Sequence, residues 1–228
     1  MNHIGQLNEQ PLHHALKLYY AGKEGKIEVH LAGYVIDVVL GGQLVEIQTG
    51  NFSSIRQKLH RLIQDHPVRL VYPIAVEKWI VKGPVSEQGD ERTRRKSPKR
   101  GREIELFTEL VSFPEMMLEL NFTLEVALIQ EEQVREFREG RYWRQKGWKT
   151  TERRLLNVVE RRVYPTPQSL AEMLPEGLPP QFTTAELAEG MGISRRLAQK
   201  MAYCLRQMEV LEIVGKHGRS ILYALGGK

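Results

Sequence analysis

Apolar positions change their period several times along this chain, and each change marks an element. Leu12, Ala15, Leu16 and Tyr19 fall at helical spacing between Pro11 and Ala21, with Asn8 placed to cap and Pro11 in the first turn. From Ile27 the spacing shortens to two. Segments Ile27–Leu31, Tyr34–Leu40 and Gln43–Thr49 read as antiparallel strands broken at Gly33 and at Gly41-Gly42. Ile55, Leu59, Leu62 and Ile63 then make the stripe of a helix over Ser53–Asp65, ended by Pro67. Val68–Ile74 is almost wholly apolar, as in a strand buried on both faces. The order helix, three strands, helix, strand is a compact α/β unit. Further strands are expected at Glu103–Phe113 and Thr123–Gln130 around a helical segment at Pro114–Leu120, and a helix at Glu152–Val163.

The last fifty residues have another pattern. Thr183-Thr184-Ala185-Glu186 is a capping box opening a short helix, followed by a sharp turn at Gly190-Met191-Gly192 and a second helix from Ser194. Leu197, Ala198, Met201, Leu205 and Met208 form its buried stripe, leaving Arg195, Arg196, Gln199, Lys200 and Tyr203 on the other face. Leu211–Val214 and Ile221–Leu225 flank a basic tip carrying Lys216, His217 and Arg219, as in a β-hairpin. The expected division is therefore an α/β (α+β) domain over 1–150, a helical linker over 151–178 and a small domain over 179–228.

Composition narrows the setting. The 228 residues are 41% hydrophobic, enough for a real core, and no apolar run approaches membrane-spanning length. One cysteine, Cys204, excludes an internal disulfide framework, and the N-terminus lacks a signal-peptide layout, so a cytoplasmic protein without membrane partners is expected. The net charge of +5 favours polyanions. Seven Arg or Lys residues and no acid lie between Arg92 and Arg102. They include Arg94, Arg95, Lys96, Lys99 and Arg100, in a stretch over 82–103 that reads as a flexible basic loop. Such a run is either a solvated charge cluster or a phosphate contact.

The sharpest chemical feature is the Gly41-Gly42 hairpin. A two-residue turn pairs residue 40 with 43 and, three pairs further, Asp37 with Glu46. Like charges so placed on otherwise apolar strands repel at about 5 Å, and a divalent cation would relieve them. The bland alternative is two acids on a surface hairpin. Gln48 shares the face of Glu46, and the Ile47 carbonyl is free to coordinate.

Asp37 and Glu46-Ile47-Gln48 on the second and third strands of this element order resemble the PD-(D/E)XK nuclease superfamily over roughly residues 8–80. The resemblance implies a restriction-endonuclease-like αβββαβ core in which Asp37, Glu46 and the Ile47 carbonyl hold Mg²⁺ or Mn²⁺, with Glu9 on the first helix as a further acid. Gln48 stands where the superfamily usually places lysine. Three accounts fit: glutamine suffices; a cation arrives from the next helix, where Arg56 and Lys58 are available; or the domain binds DNA without cutting. His13 and His14 are given surface or packing roles.

The C-terminal pattern resembles the winged helix-turn-helix family. That implies duplex contacts by Arg195, Arg196, Gln199 and Lys200 and wing contacts by Lys216, His217 and Arg219; a protein-interaction role is the alternative. The expected function is a metal-dependent DNA nuclease, an endonuclease on duplex or branched DNA, with a homodimer as the natural way to cut both strands. Its rival is an inactive nuclease-fold regulator or adaptor.

Overall fold

A computed structural model describes residues 10–83, 92–137 and 147–226. Helix α1 (Pro11–Ala21) is followed by strands β1 (Lys26–Leu31), β2 (Tyr34–Leu40) and β3 (Gln43–Ile47). A 3₁₀ turn at Phe52–Ile55 runs into α2 (Arg56–Leu62), and β4 (Val68–Lys82) returns alongside β3. Then come β5 (Thr93–Lys96), a 3₁₀ turn at Glu103–Leu106 leading into α3 (Phe107–Leu110), a second at Pro114–Leu118, and the long strands β6 (Phe122–Phe137) and β7 (Trp148–Tyr164). The chain closes with α4 (Pro167–Ala171), α5 (Thr184–Met191), α6 (Arg195–Gln207) and the hairpin β8 (Leu211–His217), β9 (Ser220–Leu225).

The strands of the first part form one mixed sheet in the order β1-β2-β3-β4-β6-β7, with β5 on the far end of β4. β3–β4 and β4–β6 are parallel and the other pairs antiparallel. The apolar run of β4 follows from this position, because both its faces are covered. On one face Leu12, Leu16 and Tyr20 of α1 pack on Val38, Val45, Ile47, Val71, Ala127 and Ile129. On the other, Leu59 and Leu62 of α2 and the segment carrying Phe107, Leu110 and Phe113 meet Ile36, Leu44 and Leu70. Each such side chain contributes about 1.5–3 kcal/mol when removed from water. That second core runs on without a break into Leu170, Leu187, Met201 and Leu205, so the C-terminal helices are packed onto the sheet unit.

Three expectations are corrected. Residues 151–164 are the greater part of strand β7, not part of a helical linker. The cause is visible in the register: β7 skips Thr151, Leu156 and Val159 against β6, so each bulge adds a residue and spaces same-face residues three apart. Leu155 and Val158 thus face the α1 layer at an interval that imitates a helix. Glu103–Phe113 is helical rather than extended, its apolar residues Ile104, Phe107 and Leu110 falling three apart and all buried. Finally, Thr93–Lys96 of the basic stretch is not loop but an edge strand paired with Trp79–Lys82.

The hairpin follows the expected register for its first three pairs, but the fourth, Asp37 with Glu46, is not formed as a backbone pair. Leu40 pairs with Gln43, Val39 with Leu44 and Val38 with Val45 around Gly41 and Gly42, both at positive φ (58° and 83°) as this turn requires. No helix among the described residues is long and apolar enough to cross a membrane.

Candidate metal and catalytic site

Regular alternation fails at Asp37. Ile36 packs on the α2 side and Val38, two residues on, packs on the α1 side, so the strand turns over between them. On the neighbouring strand Glu28, which lies opposite Asp37 in the register of β1 and β2, adopts φ 55°. The turn brings the Asp37 carboxylate across to β3, where the Ile47 N–H donates to Oδ2 at 2.8 Å. The side chain thus completes the ladder where backbone pairing stops.

Glu46 lies beside it and is 3% exposed. From α2, Lys58 reaches back so that Nζ donates to Glu46 Oε2 (2.5 Å) and to the Val35 carbonyl (2.6 Å). Glu46 Oε1 is buried and has no hydrogen-bond partner among the described residues. Burial first, and the Asp37 charge second, push the Glu46 carboxyl up to about 7 against the pull of Lys58. Asp37 goes the other way. Burial would raise it, but the bonds from His13 and the Ile47 N–H hold it below the ordinary carboxylate range. One carboxylate is therefore firmly ionised and its neighbour is poised near neutrality.

His13, expected at the surface or in packing, stands in this site. Its Nε2 lies 2.9 Å from the Ile47 carbonyl and 3.3 Å from Asp37 Oδ2. Neither oxygen can donate, so this nitrogen carries the proton. Lys17, one helical turn on, is buried against Glu28 at 2.7 Å, and nothing in the spacing of α1 marks either residue as belonging here. Gln48 turns away. Its Nε2 donates to the Gly50 and Asn51 carbonyls and toward Ser54 Oγ, bracing the turn that leads into α2. Glu9 lies outside the described residues.

Among the described residues no three His, Cys, Asp or Glu side chains converge on one point. An ion here would rest on Asp37, Glu46 and the Ile47 carbonyl. The donor set suits a hard cation, and the unsatisfied Glu46 Oε1 is the observation that favours one. A depression of about 610 Å³ between Arg102, Tyr164 and Met191 is lined by none of these acids.

The expected nucleic-acid contacts divide into groups. Arg94 and Lys96 on β5 pair with Glu132 and Glu77 and lie over the Trp79 ring, which neutralises much of their charge. Arg95 and Lys99 are exposed beside them, and Arg100 borders a depression with Val76 and Val159. On α6, Arg195, Arg196 and Gln199 are exposed, but Lys200 donates to the Thr108 carbonyl at 3.0 Å. Lys216, His217 and Arg219 are exposed at the β8–β9 turn. Sequence reasoning missed two fully buried carboxylates. Glu125 is held by Tyr20, Arg69 and Arg161, and Glu131 by Lys78 and Arg153.

Fold and site together define a mixed α/β protein with a paired-carboxylate site on a sheet hairpin and a helical unit docked beside it. Residues 10–164 match the family described as "Domain of unknown function (DUF8091)", and the chain belongs to that family. The match ends at the last residue of β7, where the sheet ends. The chain is also similar to an uncharacterized protein of Treponema pallidum (strain Nichols), 32% identical over 223 residues that span 96% of this chain and 86% of that protein. No solved structure matches.

Proposed function

We propose that this chain is a metal-dependent nuclease that hydrolyses phosphodiester bonds in DNA, with a PD-(D/E)XK-type core and a C-terminal winged helix. The observation that carries the reading is the Glu46 carboxylate, buried beside ionised Asp37 with one oxygen unsatisfied and the other on Lys58. The element order and the parallel β3–β4 pairing support the core assignment. Asp37, Glu46 and the Ile47 carbonyl would hold Mg²⁺ or Mn²⁺, which when bound activates water and stabilises charge on the scissile phosphate. Lys58 supplies the cation that Gln48 does not, arriving from α2 onto the same carboxylate. Gln48 fixes the loop after the motif.

The second reading, a DNA-binding adaptor that does not cut, draws on His13. Its Nε2–H sits against Asp37 Oδ2 and the Ile47 carbonyl, two of the oxygens an ion would use. Supercoiled plasmid and branched oligonucleotides incubated with Mg²⁺ or Mn²⁺ separate the two. Cleavage by the wild type and none by Asp37→Ala or Glu46→Ala is expected; equal behaviour of all three, with DNA binding retained, establishes the adaptor.

A further inference from the structure

Two depressions meet between the sheet and the C-terminal unit. One, of about 160 Å³, begins at Thr49 and is lined by Tyr72, Lys78, Lys99, Glu105 and Arg153. The other, of about 500 Å³, continues past Tyr72, Lys99 and Glu105 to Ser194, Arg196 and Lys200 on α6. Because Tyr72, Lys99 and Glu105 line both, they form one cleft. Thr49 at its start lies three residues beyond Glu46, so their Cα atoms are separated by at most about 10 Å.

The lining is cationic. Lys78, Lys99, Arg153, Arg196 and Lys200 face it against Glu105 alone. Glu131 holds both Lys78 and Arg153, and Lys200 is tied to the Thr108 carbonyl. Lys99 and Arg196 have no side-chain ion pair among the described residues, so their charge is available. The Tyr72 ring is set edge-on to Phe52 at 5.1 Å, and Phe52 stacks on Phe113, which makes Tyr72 a fixed aromatic in the wall. A groove of positive charge with an anchored aromatic is the composition used to hold unpaired nucleotides.

We infer that this cleft binds a single strand of nucleic acid, leading it from α6 toward the paired acids. The size decides between strand and duplex. A space of about 500 Å³ suits a drug-sized group and takes a nucleotide or two. A duplex would span the cleft from outside, and the contact between Lys200 and Thr108 closes the gap between α6 and α3. On this assignment α6 serves the cleft through its first turns and does not act as an independent major-groove reader. The inference rests on the proposed function in taking the ligand to be a nucleic acid and the paired acids to be the end it approaches.

The test is binding of a fluorescein-labelled oligothymidine and of a blunt duplex, in EDTA so that no cleavage intervenes, over a salt series. Lys99→Gln and Arg196→Gln each remove one charge without burying anything new. Each is expected to lower the single-strand salt slope by about 0.7, and the double variant by about 1.4, with duplex slopes unchanged. Circular dichroism melting checks that the variants fold. Unchanged single-strand slopes, or equal falls on duplex, overturn the inference. Because the readout is binding, those outcomes are distinct from failure of the nuclease reading, which is decided by Asp37→Ala in the cleavage assay.

Discussion

Replacing Glu46 by glutamine should stabilise the protein at neutral and alkaline pH. The carboxyl is 3% exposed and is pushed from 4.5 up to about 7, chiefly by burial and then by Asp37. A folded-state value above the unfolded one means that the fold holds the proton more tightly. The associated stability is fully present below about pH 4.5 and is lost as pH rises through about 7. At 1.36 kcal/mol per unit the loss approaches about 3 kcal/mol by pH 8. Glutamine does not titrate, keeps an oxygen for Lys58 and escapes this loss. Asp37, depressed below its ordinary range, acts at the acid end, where its stabilisation disappears as pH falls. Urea unfolding of wild type and Glu46→Gln in EDTA, from pH 5 to 8.5, reads the difference directly. Near pH 5 the two curves should lie close together; by pH 8 the variant should be more stable by about 2–3 kcal/mol, or about 4–12 °C in Tm for a chain of this size. Parallel pH profiles would refute the reasoning, because they would mean that Glu46 is ionised at no cost in the fold.

Further outcomes follow from the same geometry. Apparent Mn²⁺ affinity, read by titration calorimetry, should rise about tenfold per pH unit below 7, since an ion needs Glu46 ionised, and should vanish in Asp37→Ala. Lys58→Met should lower plasmid cleavage by about 100-fold or more while Mn²⁺ still binds, the size expected when one charge-stabilising group is lost; Gln48→Ala should cost about 1 kcal/mol in urea unfolding and lower cleavage less than Lys58→Met does. Arg161→Met leaves fully buried Glu125 with only Tyr20 and Arg69 and should destabilise the fold by about 2 kcal/mol at pH 7, less at pH 4 where Glu125 can take a proton.

The hairpin and the order of the first six elements were readable because each rests on local rules: a Gly-Gly turn that fixes register, a period that switches from helix to strand, and prolines that end segments. Thr183 and Glu186 likewise announced α5 by reciprocal capping, and the structure shows both bonds. What was not readable depended on distant or irregular geometry. Bulges at Leu156 and Val159 disguised β7 as a helix. His13 reaches Asp37 and Ile47 only because α1 lies across β2 and β3, a crossing that no spacing in α1 encodes. Lys58 was a candidate on the right helix, but which of its cations meets Glu46 depends on the helix's rotation. Glu125 and Glu131 passed as ordinary polar positions in β6, since their partners Arg69, Lys78, Arg153 and Arg161 come from other strands.

The bulges in β7 also bear on how copies of this protein can meet. β7 is the outermost strand on its side of the sheet, long and bordered by exposed Leu156, Val159 and Val163, the profile of an edge that recruits foreign strands. Each inserted residue throws the outer backbone groups out of step, so a neighbouring chain could match only a few of them before losing register. The irregularity that hid the strand from sequence reading thus shortens the stretches of β7 that a foreign strand could pair with edge to edge.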